Sequence, residues 1–323
     1  MNPLKGACII GQSGGPTAVI NASALGAIQA ALQSEQVTRV LGAANGIEGV
    51  LKEHLFDMAR EDPEELELLK YTPASALGSC RYKMAAPSAD DTDYRRLLEI
   101  FRKYNVRYFF YNGGNDSMDT CNKISKFMQQ SGYECRVIGI PKTIDNDLHG
   151  TDHCPGFGSA AKFIATSCME VHQDLRVYDK GRVTIVEIMG RHAGWLAGSA
   201  ALATYAGAGP DLVYLPEVPF RMEEFWQDVD RIYRQNGSCM VAVSEGVQYA
   251  DGRFVAESGD RDVFGHTQLG GLGAMLAESV KRQTGAKVRS IELSLLQRCA
   301  SHVASKTDID EASVSYTHLR AHE

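Results

Sequence analysis

Two glycine-rich strand-to-helix turns constrain the fold of this chain more than any other feature. An apolar segment at residues 7–10 leads into a turn at 11–17, and a helical pattern follows it. The aromatic segment 106–111 likewise ends in the turn 112–117 ahead of a second helical pattern. Residues 39–44 are predicted to form a strand and residues 46–51 its turn. Strand and helix patterns alternate along the chain, which predicts an α/β architecture with mostly parallel sheets. In such sheets the carboxyl ends of the strands face one crevice, so both turns are expected to line a ligand site.

A cluster of charged and polar residues at 141–147 follows the apolar segment 137–140, which we predict to be a buried strand. Asp145 could take a proton from a substrate hydroxyl, Asp147 could orient that hydroxyl, and Lys142 could neutralise a phosphoryl group. A polar turn capped by Asp and Asn would have the same composition. Because two glycine-rich turns are expected at neighbouring strand ends, we interpret residues 141–147 as part of a ligand site and not as a polar turn.

The first glycine-rich turn and one further loop could contact an anion, and each is ambiguous when taken alone. Glycines at 11–17 allow backbone N–H groups to approach a phosphate ahead of a helix N-terminus, although the segment matches neither the P-loop nor the G-x-G-x-x-G pattern. The loop 76–83 carries Arg81 and Lys83. It could reach a polyphosphate, and a solvated basic turn would look the same.

Composition limits the classes of protein that fit. A length of 323 residues predicts two domains or one large domain. A formal net charge of −7 argues against general nucleic-acid binding. The eight cysteines form no C-x-x-C pair, no apolar run is long enough for a membrane span, and no signal peptide precedes the first strand. We therefore expect reduced thiols, no zinc site, no membrane association and a cytoplasmic location.

Motifs in a fixed order carry a resemblance to the phosphofructokinase family over residues 5–312. The closest resemblance is to the diphosphate-dependent branch, whose members phosphorylate fructose 6-phosphate at its 1-hydroxyl using diphosphate and Mg²⁺. The motifs are Ser13-Gly14-Gly15-Pro16, Leu77-Gly78-Ser79-Cys80-Arg81, Gly113-Gly114-Asn115-Asp116-Ser117, Lys142-Thr143-Ile144-Asp145-Asn146-Asp147, Met189-Gly190-Arg191, Glu245-Gly246 and the segment from Arg289 to Arg298.

The resemblance implies two Rossmann-like three-layer domains with mostly parallel sheets and an active site in the cleft between them. Residues 1–157 would bind diphosphate and residues 158–297 the sugar phosphate, while 298–312 would return to the first domain. The family continues past residue 312, so we expect a chain shortened at its C-terminus. Residues 313–323 continue no pattern of the preceding helix and are expected to be a non-native tail.

The resemblance also assigns roles to individual residues. Asp145 would be the general base, with Thr143 and Asp147 beside it. Arg182 matches an arginine that reaches a neighbouring subunit's site, which implies a homodimer or homotetramer. The sugar phosphate would be held by Met189, Gly190, Arg191 and Glu245, with Arg289 and Arg298 adding cations; diphosphate would be bound by Gly14, Gly15, Arg81, Gly114 and Ser117.

Two side chains distinguish diphosphate from ATP as the donor. ATP-dependent members carry glycine at the positions of Asp116 and Lys142. A carboxylate at Asp116 would repel the α-phosphate of ATP, and Lys142 would stabilise charge on diphosphate during transfer. The alternatives are an ATP-dependent enzyme in which both residues have drifted, and a non-catalytic sensor of sugar phosphates. The presence of Asp145 argues against a sensor, because a protein that only binds needs no base.

Two positions depart from the family pattern. Asn115 stands where the family usually has a Mg²⁺-binding aspartate. Its amide oxygen can ligate Mg²⁺ without adding charge, so the ion is expected to rely also on Asp116, water or the donor phosphates. Leu295 occupies the place of a substrate-contacting histidine, and His266, which lies in a similar-looking segment, is expected to be structural.

Overall fold

The structure, a computed structural model, describes residues 4–178, 181–261 and 267–318. The described chain divides into two compact units. Unit 1 contains the described residues up to Ile144, then His153–Ser159, and those from Arg298 onward. Unit 2 contains Asp145–Asp152 and the described part of Ala160–Gln297. The loop that carries Asp145 therefore leaves unit 1 after Ile144 and returns to it at His153.

Unit 1 is built around a five-stranded sheet of order β3-β2-β1-β4-β5, in which β3 alone runs antiparallel to its neighbour. The central strand β1 is buried along its whole length because helices cover both of its faces. Its apolar side chains alternate between the faces, as the period of a strand requires. The strands are β1 (Gly6–Gln12), β2 (Val37–Ala43), β3 (Leu55–Asp57), β4 (Val106–Gly113) and β5 (Arg136–Pro141).

Helices lie on both faces of this sheet and give unit 1 three layers. Ile9 of β1 packs with side chains from α4 and α5, whereas Ile10 packs with side chains from α1. The helices of unit 1 are α1 (Ile20–Gln33), α2 (Gly46–Leu51), α3 (Pro63–Glu67), α4 (Thr92–Tyr104), α5 (Asn115–Gln130) and α11 (Lys306–His318).

Unit 2 contains a parallel sheet of order β11-β6-β8-β7, with β6 and β8 central and buried along their length. Helices α8 and α9 cover one face of it. The strands are β6 (Val183–Ile188), β7 (Leu212–Tyr214), β8 (Cys239–Ser244), β11 (Val288–Glu292) and the antiparallel pair β9 (Glu257–Arg261) and β10 (Thr267–Leu269). The remaining helices are α6 (Phe157–Leu175), whose first turn belongs to unit 1, α7 (Trp195–Ser199), α8 (Met222–Asn236), α9 (Leu272–Thr284) and α10 (Leu296–Cys299), which belongs to unit 1 from Arg298 onward.

The predicted α/β class with mostly parallel sheets is confirmed, while several local predictions were wrong. The turn predicted at Gly46–Leu51 is helix α2. Strand β5 lies at the edge of its sheet, so only Ile140 is fully buried in it. Helix α5 begins at Asn115, which places Asp116 in its first turn rather than in the preceding loop. Among the described residues, none of the helices is long and apolar enough to cross a bilayer.

Helix α11 continues through residue 318, whereas the sequence pattern predicted a break at residue 313. Ala312 and Ser315 are buried, and the Ser313 carbonyl oxygen lies so close to α1 that a Cβ at Gly26 would overlap it. The contact between α1 and α11 therefore requires glycine at position 26.

We expect Gly26→Ala to destabilise unit 1, although alanine favours a helix, because the added methyl group must push α11 away from α1. The free energy of unfolding should fall by about 1–3 kcal/mol in chemical denaturation. Gly198→Ala is the control, since nothing lies within 4 Å of a Cβ at that helical glycine. Equal stability of the two variants would show that the contact does not stabilise the fold.

Candidate active site

The turn after β1 in unit 1 is held in place by hydrogen bonds to two other segments. Gly14 has φ +76°, a left-handed conformation that glycine adopts without strain. The Ser79 hydroxyl donates to its carbonyl oxygen at 2.7 Å, and the Ser13 N–H donates to the Asn112 carbonyl at 2.8 Å. These bonds fix the turn to the loop 78–81 and to the end of β4.

Lys142 lies between the two glycine-rich turns. Its ammonium, on a residue that is 4% exposed, donates to the Gly15 carbonyl at 2.5 Å, and its backbone N–H donates to the Gly113 carbonyl at 3.0 Å. A Cβ at Gly14 would lie 3.4 Å from Nζ. Burial removes the Lys142 ammonium from water, which is costly for a cation. An anionic ligand would offset that cost by pairing with the ammonium, and the backbone N–H groups of the turn could also donate to it.

The second turn leads directly into helix α5. A Cβ at Gly113 would overlap the Ser117 hydroxyl, so this position accepts only glycine. Gly114 precedes the first residue of α5, and its carbonyl accepts the N–H of buried Ser117 at 2.9 Å. Asn115 and Asp116 are exposed in the first turn. The helix N-terminus attracts an anion, while the Asp116 carboxylate limits how much negative charge can approach.

The loop 78–81 approaches the same region of unit 1 through Ser79 and exposes Arg81. Gly78 has φ +75°, and a Cβ there would lie 2.5 Å from Asn45 Nδ2. Arg81 lines a cavity of about 400 Å³ together with Lys52 and His54. Arg81 is exposed, and its part in binding a phosphate stays a prediction.

The loop that carries Asp145 is closed at its base within unit 1. Thr143 pairs with Gly156 in an isolated parallel bridge. Inside the loop, which belongs to unit 2, Asn146 has φ +56° and its side chain donates to the Asp152 carbonyl at 3.1 Å. Asp145 is partly buried and Asp147 is exposed.

In unit 2 the segments after β6 and β8 pack against each other. Glu245 accepts the N–H of Gly190 at 3.3 Å, and the Ser244 hydroxyl donates to the Gly190 carbonyl at 2.6 Å. A Cβ at Gly246 would overlap the Arg191 carbonyl oxygen. Glycine at 246 thus permits the contact that brings Arg191 and Glu245 together.

Glu245 is the carboxyl group whose ionisation is most affected in this segment. Burial is the main cause, and the negative charges of Asp145 and Glu187 add to it, so the pKa of Glu245 rises to about 7. The N–H of Gly190 and the charge of Arg191 act in the opposite direction. Near neutral pH this carboxyl can therefore donate or accept a hydrogen bond with a ligand hydroxyl.

Two of the predicted cations lie away from this segment within unit 2, and a third belongs to unit 1. Arg289 of β11 pairs with Thr184 of β6. At the usual rise per residue of a strand, Thr184 lies roughly 13 Å from the carboxyl end of β6. Arg182 precedes β6 and forms an ion pair with Asp174. Arg298 belongs to unit 1, where its guanidinium lies 2.8 Å from the position of a Cβ on Gly15. Within unit 1, Arg298 therefore lies against the glycine-rich turn.

Two residues, one in each unit, were not predicted from the sequence. Gln297 is buried, and its side-chain oxygen accepts the N–H of Met189 at 3.2 Å while its amide donates to the Ser294 carbonyl at 3.0 Å. Asp308 is buried in unit 1. Only its place beside Arg298 could have indicated Gln297, and no local pattern indicated Asp308. His266 lies outside the described residues.

Asn115 and Asp116 are the residues predicted to hold Mg²⁺. Among the described residues, no group of three or more His, Cys, Asp or Glu side chains is arranged to hold a metal ion. One carboxylate and one amide oxygen, both exposed at the start of α5, fit an ion that keeps several waters and is ligated mainly by a phosphate substrate. The two side-chain oxygens therefore fit a Mg²⁺ ion that arrives bound to the phosphate substrate.

A family model for phosphofructokinase matches residues 7–310. The chain belongs to the phosphofructokinase family. It is 47% identical over 305 residues to the pyrophosphate–fructose 6-phosphate 1-phosphotransferase of Halomonas elongata, which covers 93% of this chain and 73% of that protein. It is 48% identical over 315 residues to the enzyme of the same name from Xanthomonas campestris, covering 95% and 74%.

A comparison with a solved structure supports the same family assignment. The crystal structure of the pyrophosphate-dependent phosphofructokinase from Marinobacter aquaeolei superposes with a TM-score of 0.85 at 42% identity. The match covers 98% of this chain and 75% of that one. The predictions of the family, of its diphosphate-dependent branch and of the fold are confirmed. The roles of individual residues stay predictions.

We expect Glu245→Gln to reduce the dependence of stability on pH. The raised pKa means that the folded protein keeps a proton which the unfolded chain releases near pH 4.5, so stability falls as pH rises towards about 7. Glutamine carries no charge, hence the variant should be more stable than the parent at about pH 8, by up to about 3 kcal/mol.

Chemical denaturation across this pH range measures the effect. Glu278→Gln is the control, because it makes the same chemical change at a glutamate that is exposed on α9. Parallel pH profiles for the parent and Glu245→Gln would contradict the raised pKa.

Proposed function

We propose that this protein transfers a phosphoryl group from diphosphate to the 1-hydroxyl of fructose 6-phosphate, giving fructose 1,6-bisphosphate and phosphate. The observation that carries the proposal is the buried ammonium of Lys142, held on the Gly15 carbonyl between two glycine-rich turns. A cation there neutralises a short phosphate donor at the turn. The names of the 47–48% identical relatives support the same reaction.

Asp145 is the proposed general base. As the 1-hydroxyl oxygen attacks the nearer phosphorus, its proton passes to the Asp145 carboxylate, and the bridging P–O bond breaks to release phosphate. The transition state of phosphoryl transfer is loose, so most of the catalysis comes from positioning and charge stabilisation. Thr143 and Asp147 lie beside the base in sequence and are proposed to orient the hydroxyl.

The two ligands are assigned to different parts of the chain. The turns at Gly14 and Gly114, with Lys142 and Arg81, are proposed to bind diphosphate in the domain formed largely by residues 1–157. Residues 158–297 would bind the sugar phosphate through the segments after β6 and β8. The sugar-phosphate contacts are assigned to Met189, Gly190, Arg191 and Glu245, and the further diphosphate contacts to Gly15 and Ser117.

Mg²⁺ is the proposed metal, held by Asn115 and Asp116 together with the diphosphate oxygens. When bound, the ion would offset negative charge on the donor. The chain's own contribution is to keep the two oxygen donors exposed at the start of α5, where the helix N-terminus already favours an anion.

A homodimer or homotetramer is proposed, because two of the cations assigned to the sugar phosphate lie far from its other contacts. Arg182 precedes β6, and Arg289 lies beside Thr184, towards the amino end of that strand. Met189 and Gly190 follow the opposite end. Within one chain these arginines lie at the end of β6 opposite to Met189 and Gly190. A neighbouring subunit could therefore supply the arginine that contacts the sugar phosphate.

We expect the combined substitution Asp116→Gly and Lys142→Gly to relax the choice of donor. Loss of the cation should lower turnover with diphosphate by about 10²–10³-fold, and loss of the carboxylate should permit some use of ATP. Fructose 1,6-bisphosphate formation with each donor measures this. Asp119→Asn, exposed in the next turn of α5, is the control.

The same assay separates the rival functions. Activity of the parent with ATP alone would identify an ATP-dependent enzyme, and undiminished use of diphosphate by the double variant would refute the role of these two side chains. Binding of fructose 6-phosphate without turnover of either donor would favour a sensor.

Subunit mixing tests the oligomeric site. Arg182→Ala and Asp145→Asn should each be almost inactive alone. If Arg182 acts in a neighbour's site, a 1:1 mixture refolded together should recover about a quarter of the parent activity, because in a dimer half the molecules are hybrids with one intact site of two. A mixture that stays as inactive as its components would exclude this arrangement.

A further inference from the structure

Asp308 of helix α11 is a fully buried carboxylate outside the residues assigned to either substrate. It accepts the N–H of Gly156 at 2.9 Å, the N–H of Ser159 at 2.8 Å and the Ser159 hydroxyl at 2.6 Å. These donors lie at the start of α6, where the helix also favours negative charge. A distant segment of the chain thus supplies the carboxylate that satisfies the first turn of α6.

Gly156 connects this carboxylate to two parts of the candidate site. Its φ is +112°, and a Cβ there would lie 2.6 Å from Thr17 Cγ2 in the glycine-rich turn. It also pairs with Thr143, just past the end of β5. A displacement of Gly156 would therefore disturb both the turn after β1 and the exit of β5.

The loop that carries Asp145 begins and ends at this point. The chain leaves at Thr143 and returns at Gly156, so their bridge closes the base of the loop. His153, on the returning side, reinforces the connection: its Nε2 lies 3.6 Å from the Asp308 carboxylate, and its Nδ1 contacts Glu311 of the same helix. Helix α11 therefore fixes the segment by which the loop returns to unit 1.

We infer that Asp308 is a positioning residue for phosphoryl transfer, because it holds the base of the Asp145 loop against the glycine-rich turn of unit 1. This inference rests on the proposed function, in which Asp145 is the base. The simpler alternative is that Asp308 only caps α6 and stabilises the fold. The two differ in whether its loss changes turnover or only stability.

Asp308→Asn keeps the size of the side chain and removes one acceptor. The single amide oxygen cannot accept from both Gly156 and Ser159, so one backbone N–H must face the NH₂ group. We expect kcat to fall about 10–100-fold, since small misplacements of reacting groups have effects of that size. The KM for fructose 6-phosphate should change less than about 3-fold, because the contacts proposed for the sugar phosphate are untouched.

Two controls separate positioning from stability. Asp310→Asn changes a carboxylate on the same helix that is exposed and pairs with Lys306. Tyr133→Phe removes buried hydrogen bonds to the carbonyls of Phe101 and Val106, before and at the start of β4, and so weakens unit 1 far from the loop. All variants are assayed at a temperature where circular dichroism shows them folded.

Hydrogen exchange of the segment 142–157 gives a readout that does not depend on activity. Faster exchange there in Asp308→Asn than in Tyr133→Phe, with the fall in kcat, would support the inference. Exchange and kcat equal to those of Tyr133→Phe would overturn it. If the parent protein shows no phosphoryl transfer, the proposed function fails; the exchange comparison still decides whether Asp308 fixes the loop, and unchanged exchange overturns that too.

Discussion

The candidate site in unit 1 depends on the hydrogen bond from the buried Lys142 ammonium to the Gly15 carbonyl. A buried cation is costly unless hydrogen-bonded, and the strongest partner for it is an anion. Its backbone is bonded to the Gly113 carbonyl, so the charge is fixed between the turns after β1 and β4. The chemistry proposed for the protein follows from that placement, since phosphoryl transfer depends on charges already in position.

Close backbone approach is the structural means by which these loops meet. Gly113 leaves room for the Ser117 hydroxyl, Gly246 for the Arg191 carbonyl and Gly156 for Thr17. The first contact fixes the turn between β4 and α5, and the other two join segments that are distant in sequence. The polar network around Asp308 acts in the same way, with a buried carboxylate tying α11 to the start of α6. Side-chain volume at any of these positions would separate the segments.

The alternation of apolar strands and helical patterns was sufficient to predict the α/β class and the strand-to-helix turns at both glycine-rich segments. It was not sufficient for Gly46–Leu51, where a six-residue helix replaced a predicted turn. Short helices depend on packing more than on propensity, so a local pattern is a weak guide to them. Strand β5 was predicted to be buried because its residues are apolar, but its position at the sheet edge is a property of topology.

The sequence by itself determined which chemical groups are present and that strand ends would carry them, because apolar periodicity and glycine placement are local properties. It also carried the motifs that identify the phosphofructokinase family. Only the tertiary structure decided that Arg298 lies against Gly15, that Gln297 accepts from Met189, and that Asp308 accepts the N–H of Gly156 at the base of the Asp145 loop. Most of these contacts join residues more than a hundred positions apart, and no periodic pattern reports contacts between such distant segments.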